Sequence, residues 1–252
     1  VTGVQTCALP IYSYYIPENS VISISGKFDM QNIEKLVQKY FGKWRCKNKQ
    51  ITKYSSPKIF NNHYFRKKEI EQLHISLGIP GVGLGDDDIY TLILLSNILG
   101  GGASSLLFQK VREELGVCYS VYCYISAFKN TGVVSIYAGL NPKYALVAID
   151  VIKEEVSKFA KLGITNEKLN KAKEQLKGSY ILGLESTSSR MFSNGKSALF
   201  MDKINTPEEI LQKIDEIDMM RVNVVMEKTF KIGIINSAYV GRKNEKIGSA
   251  HV

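Results

Sequence analysis

The chain has 252 residues, and 33 lysines and arginines outnumber 24 aspartates and glutamates, which gives a formal charge of +9. Apolar residues make up 44% of the chain, so it can bury a core, and this composition excludes collagen, disulfide-scaffold and strongly disordered proteins. No apolar run reaches the roughly 18–20 residues of a membrane helix. The positive residues are mixed with glutamates and form no basic run with interleaved aromatics. We therefore expect neither a membrane nor a nucleic-acid partner.

The cysteines favour a reducing compartment. Cys7, Cys46, Cys118 and Cys123 show no CxxC spacing and no pairing with nearby histidines, which indicates neither a zinc knuckle nor a disulfide framework. Cys118 and Cys123 fall on one predicted strand, and at about 3.3 Å per residue their separation exceeds disulfide reach. We therefore predict a cytoplasmic protein.

The two ends of the chain differ in pattern from the rest. Residues 1–11 (VTGVQTCALPI) carry no charge and no hydrophobic period, and residues 247–252 (IGSAHV) are similarly detached. Both resemble peptides translated from sequencing-library adapters, IGSAHV with one departure. We interpret them as non-native additions around a native segment of residues 12–246, the alternative being frayed natural tails.

The first elements predict a strand and a helix. The run VISISG from Val21 predicts a short buried strand, and the next segment predicts a helix with Asp29 as its N-cap. Apolar residues between Met30 and Phe41 share one helical face, so this unit has partners that lie partly upstream. Residues 42–68 are polar and basic, lose the helical period and contain a Ser-Ser-Pro break, which predicts an interdomain linker.

Residues 69–246 predict a larger domain. Apolar and polar residues alternate from Leu73 to Ile79, as in a strand with one buried face. The later elements are, in chain order, helices over 86–99 and 104–115 (the second ended by Gly116), a hairpin over 117–140, helices over 141–159, 165–180, 186–200 with an interruption at 193–195, 206 onward and 218–228, and a strand over 231–240. This order predicts an α+β fold, an antiparallel-rich mixed sheet with helices packed on it.

The sequence alone shows no metal site in this chain. The three histidines, His63, His74 and His251, lie in no HExxH or HxxEH arrangement. His74 is either a lone ligand or base or, as is commoner, a satisfied histidine on a half-polar sheet face. The GGGASS stretch lacks the Lys-Ser/Thr of a phosphate loop and is explained by helix punctuation.

An ordered set of motifs is more specific than any one of these features. The strings are YYIPENSVISISGKFDMQNIEKLVQKYFG, EQLHISLGIPG and LLSNILGGGASSLLFQKVREELGVCYSVYCYIS. In this order they resemble the carboxyl-terminal module of the insulinase/pitrilysin superfamily of zinc metallopeptidases, in particular its bacterial processing-peptidase-like branch. The resemblance extends from Tyr12 to about Lys228, and its most specific part lies between Leu99 and Val121.

The resemblance implies two similar αβ domains that are joined by a linker and enclose a peptide substrate. In the family, an inverted HxxEH motif and a distant glutamate of the first domain hold zinc, and the motif's glutamate is the general base. The resemblance assigns residues 12–41 to the end of that first domain, 42–68 to the linker and 69–246 to the second domain. It places the zinc of the intact protein on residues absent from this chain, which has no catalytic residues and is expected to be inactive alone.

The resemblance also implies a substrate-binding pair. Catalytic relatives supply an arginine and a tyrosine, seven residues apart, and Arg112 and Tyr119 match them in spacing and surrounding letters. A guanidinium and a phenol can hydrogen-bond a peptide backbone and its developing oxyanion. Alternatively, Arg112 favours the carboxyl end of its helix, and Tyr119 packs on the strand face of Val117 and Val121.

Three functions remain open from the sequence. The first is the carboxyl-terminal part of a zinc-dependent metalloendopeptidase, with a peptide substrate and an amino-terminal domain or a homologous subunit as partners. The second is a non-catalytic subunit or scaffold of the same superfamily, which binds peptides or a partner chain. The third is an unrelated αβ binding domain whose basic face recognises acidic partners.

Overall fold

The computed structural model describes residues 14–45 and 55–242. The ends interpreted as non-native (1–11 and 247–252), together with Cys7, Cys46 and His251, lie outside these residues. The chain divides into two compact units, Val1–Ser55 with Ser179–Pro207 and Ser56–Gly178 with Glu208–Val252. The domain boundaries expected from the sequence stay predictions.

The described residues contain helices and strands in nearly the predicted order. The helices are α1 Met30–Phe41, α2 Ile89–Gly100, α3 Ala145–Leu162, α4 Asn166–Gly183, α5 Thr187–Met201, α6 Pro207–Asp215 and α7 Met219–Val225, with π-helical segments at Phe108–Glu114 and Met226–Phe230 and short 3₁₀ turns at Pro17–Asn19 and Pro142–Tyr144. The strands are β1 Asn62–Lys67, β2 Leu73–Gly81, β3 Cys118–Ala127, β4 Gly132–Leu140 and β5 Asn236–Gly241. No helix of this described part is long and apolar enough to cross a bilayer.

In the first unit, α1 begins as the sequence predicts. The Asp29 carboxylate accepts a hydrogen bond from the Gln31 backbone N–H at 2.8 Å, which satisfies one of the free donors at the helix start. The apolar side of the helix remains open to solvent, since Met30 is 60%, Tyr40 68% and Phe41 47% exposed. Ile33 and Val37 on this side are half-buried, and the exposed apolar residues beside them mark a surface that can pack against a partner.

The predicted buried strand at VISISG is not formed among the described residues. Residues 21–25 have no strand partner there, and Val21 and Ile22 are exposed. An extended segment becomes a stable strand only when a neighbour satisfies its backbone groups, so the local apolar pattern is insufficient by itself.

The predicted interruption at residues 193–195 is also wrong, because α5 runs through them without a break. A Cβ at Gly195 would lie 3.1 Å from Ser23 Cβ, so the missing side chain allows close packing of the two segments. Ser23 Oγ donates to the Met191 carbonyl at 2.8 Å beside this contact. Glycine costs a helix roughly 1 kcal/mol relative to alanine, which tertiary packing can offset.

The second unit contains one five-stranded mixed sheet, which confirms the predicted α+β fold. The strand order is β1-β5-β2-β4-β3, with β1 parallel to β5 and every other neighbouring pair antiparallel. β1 lies inside the segment predicted as a linker. All its residues are exposed, so it carries no hydrophobic period and is fixed by backbone pairing with β5.

One face of this sheet forms the core. Leu73, Ile75, Leu77 and Ile79 of β2 are at most 1% exposed, and the alternate residues of β2 are half-buried, as the alternation predicts. Helices α2 and α3 supply buried side chains to the same cluster. The opposite face of the sheet therefore carries the polar residues.

The hairpin and the final strand follow the predictions with one shift. Residues 128–131 connect β3 to β4, and the Phe128 N–H donates to the Thr131 carbonyl at 2.8 Å. β5 begins at Asn236 rather than at residue 231, because turns close the preceding helical segment and Gly233 adopts a φ of +79°. Only the second half of the apolar run pairs as a strand.

A buried ion cluster joins the start of α2 to the carboxyl-terminal helices of this unit. Asp88 is 6% exposed, and its two carboxylate oxygens accept from Arg221 Nε at 3.2 Å and from Lys228 Nζ at 2.9 Å. Burial favours the neutral acid, but the hydrogen bonds and charges of Lys228 and Arg221 outweigh it, so the pKa of Asp88 is lowered.

Candidate substrate-binding site

Tyr119 occupies an irregular position at the start of β3. Cys118 pairs with Leu140 and Ser120 pairs with Gly139, so Tyr119 is an extra residue in a β-bulge. The bulge turns the Tyr119 side chain away from the core: Tyr119 is 58% exposed, whereas Val117 is 8% and Val121 is 4% exposed. The alternative in which Tyr119 packs beside those valines is therefore wrong.

Arg112 lies in the π-helical segment that precedes β3. Its side chain is 45% exposed, its guanidinium carbon is 4.7 Å from the centre of the Phe108 ring, and its Nε lies 3.9 Å from the Glu113 carboxylate. It is in the last turn of the segment, so the role of balancing the helix dipole stays open beside the binding role. Stacking on Phe108 restricts the side chain without burying its charge.

The chain reverses between these two residues through a glycine. Gly116 adopts a φ of +60°, which confirms it as the end of the helix, and its N–H donates to the Arg112 carbonyl at 3.2 Å. The positive charge of Arg112 acts to lower the pKa of Cys118, the residue before Tyr119. The structure therefore presents Arg112 and Tyr119 to solvent at one helix–strand junction.

The two cysteines of β3 lie in the core. Cys118 and Cys123 are buried and free, as their spacing predicts. Burial raises the pKa of the Cys118 thiol to about 11 against the opposing charge of Arg112, and it raises the pKa of the Cys123 thiol to about 12. Both side chains stay neutral near pH 7 and act as small core residues.

The described residues do not fit a zinc site. They contain no group of three or more His, Cys, Asp or Glu side chains that could hold a metal ion. His63 Nδ1 lies 2.8 Å from Ser237 Oγ, and His74 Nδ1 lies 2.6 Å from Tyr137 Oη. His74 therefore has a hydrogen-bond partner at Nδ1 on the half-polar sheet face.

Sequence reasoning missed the neighbours of His74. Tyr137, Ser120 and Gln72 surround Gly139 on the outer sheet face, and Tyr137 contacts His74. The alternation of residues indicates the face on which each side chain lies. The cross-strand register that brings them together cannot be read from spacing along the chain.

Comparisons with known proteins agree with this architecture. The family model described as "Peptidase M16 inactive domain" matches residues 11–176. An uncharacterized zinc protease of Bacillus subtilis (strain 168) is 40% identical over 220 residues, which cover 87% of this chain and 53% of that protein. An uncharacterized zinc protease of Mycobacterium leprae (strain TN) is 34% identical over 215 residues, which cover 84% of this chain and 48% of that protein. The chain thus spans about half the length of these relatives.

Solved structures share the fold. The peptidase M16 inactive domain from Pseudomonas fluorescens superposes with a TM-score of 0.75 at 19% identity, covering 86% of this chain and 52% of that one. A protease from Helicobacter pylori gives a TM-score of 0.73 at 20% identity, covering 86% and 53%. The alternative of an unrelated αβ binding domain is therefore wrong, and the resemblance read between Leu99 and Val121 is confirmed. The chain belongs to the peptidase M16 inactive-domain family of zinc-protease-like proteins.

Proposed function

We propose that this chain is the carboxyl-terminal part of a zinc-dependent metalloendopeptidase and that it positions the peptide substrate. The observation that carries the proposal is the bulge that turns Tyr119 outward at the junction that also exposes Arg112. Bulges are frequent beside active sites because they re-aim single side chains. The names of the relatives as zinc proteases support the reaction class.

The two side chains suit contacts to a peptide near its scissile bond. The Arg112 guanidinium offers several N–H donors to backbone carbonyl oxygens, and the Tyr119 hydroxyl offers one more. Donors aimed at an oxygen that gains charge bind the transition state more strongly than the ground state. In this role the pair assists a reaction whose other groups lie elsewhere in the intact protein.

In this proposal, zinc is bound only by the intact protein. Its ligands and the general base would lie on residues absent from this chain, and zinc would supply an activated water there. The described residues offer no alternative set of ligands. We therefore expect the 252-residue chain to bind peptides without cleaving them.

The cleavage test uses the purified 252-residue chain with added zinc and a panel of fluorogenic peptides. We expect no turnover above the rate of buffer with zinc. Turnover that is abolished by a chelator would contradict the assignment of the metal site to other residues.

The binding test measures fluorescence anisotropy of labelled peptides. We expect Arg112→Ala and Tyr119→Phe each to weaken peptide binding several-fold, because each removes donors, while leaving the unfolding midpoint nearly unchanged. Matched controls are Arg242→Ala, which removes an exposed arginine, and Tyr144→Phe, which removes an exposed phenol. If the control variants lose as much peptide affinity as Arg112→Ala and Tyr119→Phe, the support for a site at the junction is removed.

We propose that the apolar side of α1 receives the partner, an amino-terminal domain or a homologous subunit. Met30, Leu36, Tyr40 and Phe41 are all at least 40% exposed, although they share one helical face. Met30→Glu should leave the stability of the isolated chain nearly unchanged, because this side chain is 60% exposed. It should weaken association with the amino-terminal half of the Bacillus subtilis relative in a pull-down, whereas Lys35→Glu on the same helix should not.

The same exposed face favours a second function, a non-catalytic peptidase-like subunit that binds peptides or a partner chain. Co-expression with the amino-terminal half of the Bacillus subtilis relative separates the two. A complex with chelator-sensitive peptide hydrolysis favours the enzyme. A stable complex without hydrolysis favours the subunit.

We further propose a cytoplasmic location for the intact protein. The support is the pair of buried free thiols, Cys118 and Cys123, which suit a reducing compartment. Cell fractionation with an antibody against the chain tests it, and recovery in an oxidising compartment would contradict it.

A further inference from the structure

A cluster of polar side chains converges over a glycine on the outer face of the sheet. His74 pairs with Gly139, and Gly139 pairs with Ser120, so one row crosses three strands with no side chain at its centre. A Cβ at Gly139 would lie 3.0 Å from Ser120 Oγ, 3.2 Å from Tyr137 Oη and 3.3 Å from Gln72 Oε1. We call these five residues the Gly139 cradle.

A hydrogen bond joins Tyr137 to His74 within the cradle. Burial and the neighbouring Tyr122 raise the pKa of Tyr137 against the hydrogen bond from Ser120, so the phenol keeps its proton. Tyr137 Oη lies 2.6 Å from His74 Nδ1, so the phenol is the donor of this hydrogen bond when the imidazole proton is on Nε2. A neutral imidazole that accepts at Nδ1 carries its proton on Nε2. In this tautomer, His74 has an Nε2–H donor that makes no hydrogen bond among the described residues.

We propose that the Gly139 cradle is a second peptide-binding site, in which His74 Nε2–H donates to a carboxylate of the bound peptide. This proposal rests on the proposed function, because it adds a contact to a peptide that Arg112 and Tyr119 also hold. Ser120 follows Tyr119 directly along β3, so the two sites are neighbours.

The charge of the outer sheet face supports a carboxylate as the ligand group. Arg66 lies in the same row as His74, with Val240 between them. By register, the side chains of this face carry no acid among the described strands: Asn62, Tyr64, Arg66, His74, Ser76, Gly78, Pro80, Ser120, Tyr122, Tyr124, Ser126, Val133, Ser135, Tyr137, Gly139, Asn236, Ala238 and Val240. A carboxylate therefore meets donors and one cation, and no acid on the strands of this sheet face repels it.

The aromatic neighbours hold the cradle in place. The Tyr122 and Tyr137 rings are 4.8 Å apart across β3 and β4, and Tyr122 is 45% exposed. Packed tyrosines offer a large contact area and lose little conformational entropy when a ligand binds. They form a preorganised floor beside the His74 donor.

The test measures anisotropy of three labelled nonapeptides on the full 252-residue chain. The first two are blocked at both ends and differ only by glutamate or glutamine at the centre, and the third has the central glutamine and a free terminal carboxylate. We expect the wild type to bind a carboxylate peptide about tenfold more tightly than the neutral one, the size of one hydrogen bond to a charged group. The more tightly bound of the two carboxylate peptides shows whether the ligand group is a glutamate side chain or a terminal carboxylate.

Two variants remove the preference in different ways. His74→Leu removes the donor, and Tyr137→Phe removes the hydroxyl that orients it, so both should reduce the preference to about twofold or less. Tyr124→Phe is the matched control, an exposed phenol on the same sheet face, and should keep the preference. His74→Gln, which retains an N–H donor, should recover part of it.

The outcomes separate this proposal from the proposed function. If Arg112→Ala and Tyr119→Phe weaken all three peptides equally while His74→Leu and Tyr137→Phe leave the carboxylate preference intact, the cradle proposal fails and the junction site stands. If no peptide binds, both fail. Histidine ¹⁵N shifts give an independent readout, since a neutral His74 ring with its proton on Nδ1 would overturn the direction of the hydrogen bonds.

Discussion

Gly100 at the end of α2 lies directly against Cys123 of β3. A Cβ on Gly100 would stand 2.6 Å from both the backbone nitrogen and the Cβ of Cys123, closer than real Cβ atoms approach. The glycine is needed here for the close approach of helix and strand. The contact fixes the helix whose following loop leads to the Arg112 segment.

Gly100→Ala is therefore expected to destabilise the fold. One inserted methyl group forces the backbone of α2 or β3 to shift, which costs about 1–3 kcal/mol of the free energy of unfolding. Urea denaturation measures the effect. Gly102→Ala in the same glycine run is the control, because no atom lies within 4 Å of its Cβ position. Equal stability of the two variants would show that the close approach is wrong.

The ion cluster at Asp88 predicts a second loss of stability. Asp88→Asn removes the charge that Arg221 and Lys228 contact, and because both cations are partly exposed we expect a loss of about 2 kcal/mol. Asp87→Asn, a change at the exposed neighbour, should have almost no effect. Thermal unfolding at neutral pH compares the two variants, and a milder effect at position 88 than at 87 would contradict the cluster.

The same carboxylate predicts how stability depends on pH. Burial raises the pKa of Asp88, but the hydrogen bonds and charges of Lys228 and Arg221 lower it by more. The folded pKa therefore lies below the unfolded one. The stabilisation is complete above the unfolded value, about 3.9, and is lost as the pH falls through the folded value. The difference in unfolding free energy between wild type and Asp88→Asn should shrink over that acidic range. A difference that stays constant would mean that the charge is not the stabilising feature.

The two buried cysteines predict slow alkylation. With a pKa of about 11, the Cys118 thiol is ionised in roughly one molecule per thousand at pH 8, and Cys123 in fewer. Peptide mapping after iodoacetamide treatment should find both unmodified in the native chain and modified in urea. Rapid labelling of either in the native chain would show that its burial is wrong.

The contact between two buried phenylalanines predicts the largest loss in the free energy of unfolding. The Phe159 and Phe230 rings meet edge to face, with centres 5.1 Å apart, and both are at most 3% exposed. Phe230→Ala should cost about 3–5 kcal/mol through lost burial and the cavity left behind. Ile232→Ala, a truncation at a 53% exposed site, should cost under 1 kcal/mol. Chemical denaturation gives both values.

The sequence predicts those parts of the fold that depend on local chemistry. Asp29 caps α1 and Gly116 ends its helix with a positive φ, because both outcomes depend on neighbours a few residues away, and the alternation along β2 indicates which of its sides is buried. VISISG forms no strand and Gly195 does not break α5, because each depends on a distant segment. Arg112 and Tyr119 could be named from a family motif, whereas the bulge that exposes Tyr119 depends on pairing with β4.

The position of β5 has a consequence for synthesis. It follows the other four strands in the chain, yet it lies between β1 and β2 and pairs with both. A nascent chain that has not yet released Asn236–Gly241 from the ribosome leaves the β2 edge open and β1 without a neighbour. Sheet completion therefore waits for a contact spanning most of this unit, and such high contact order slows folding.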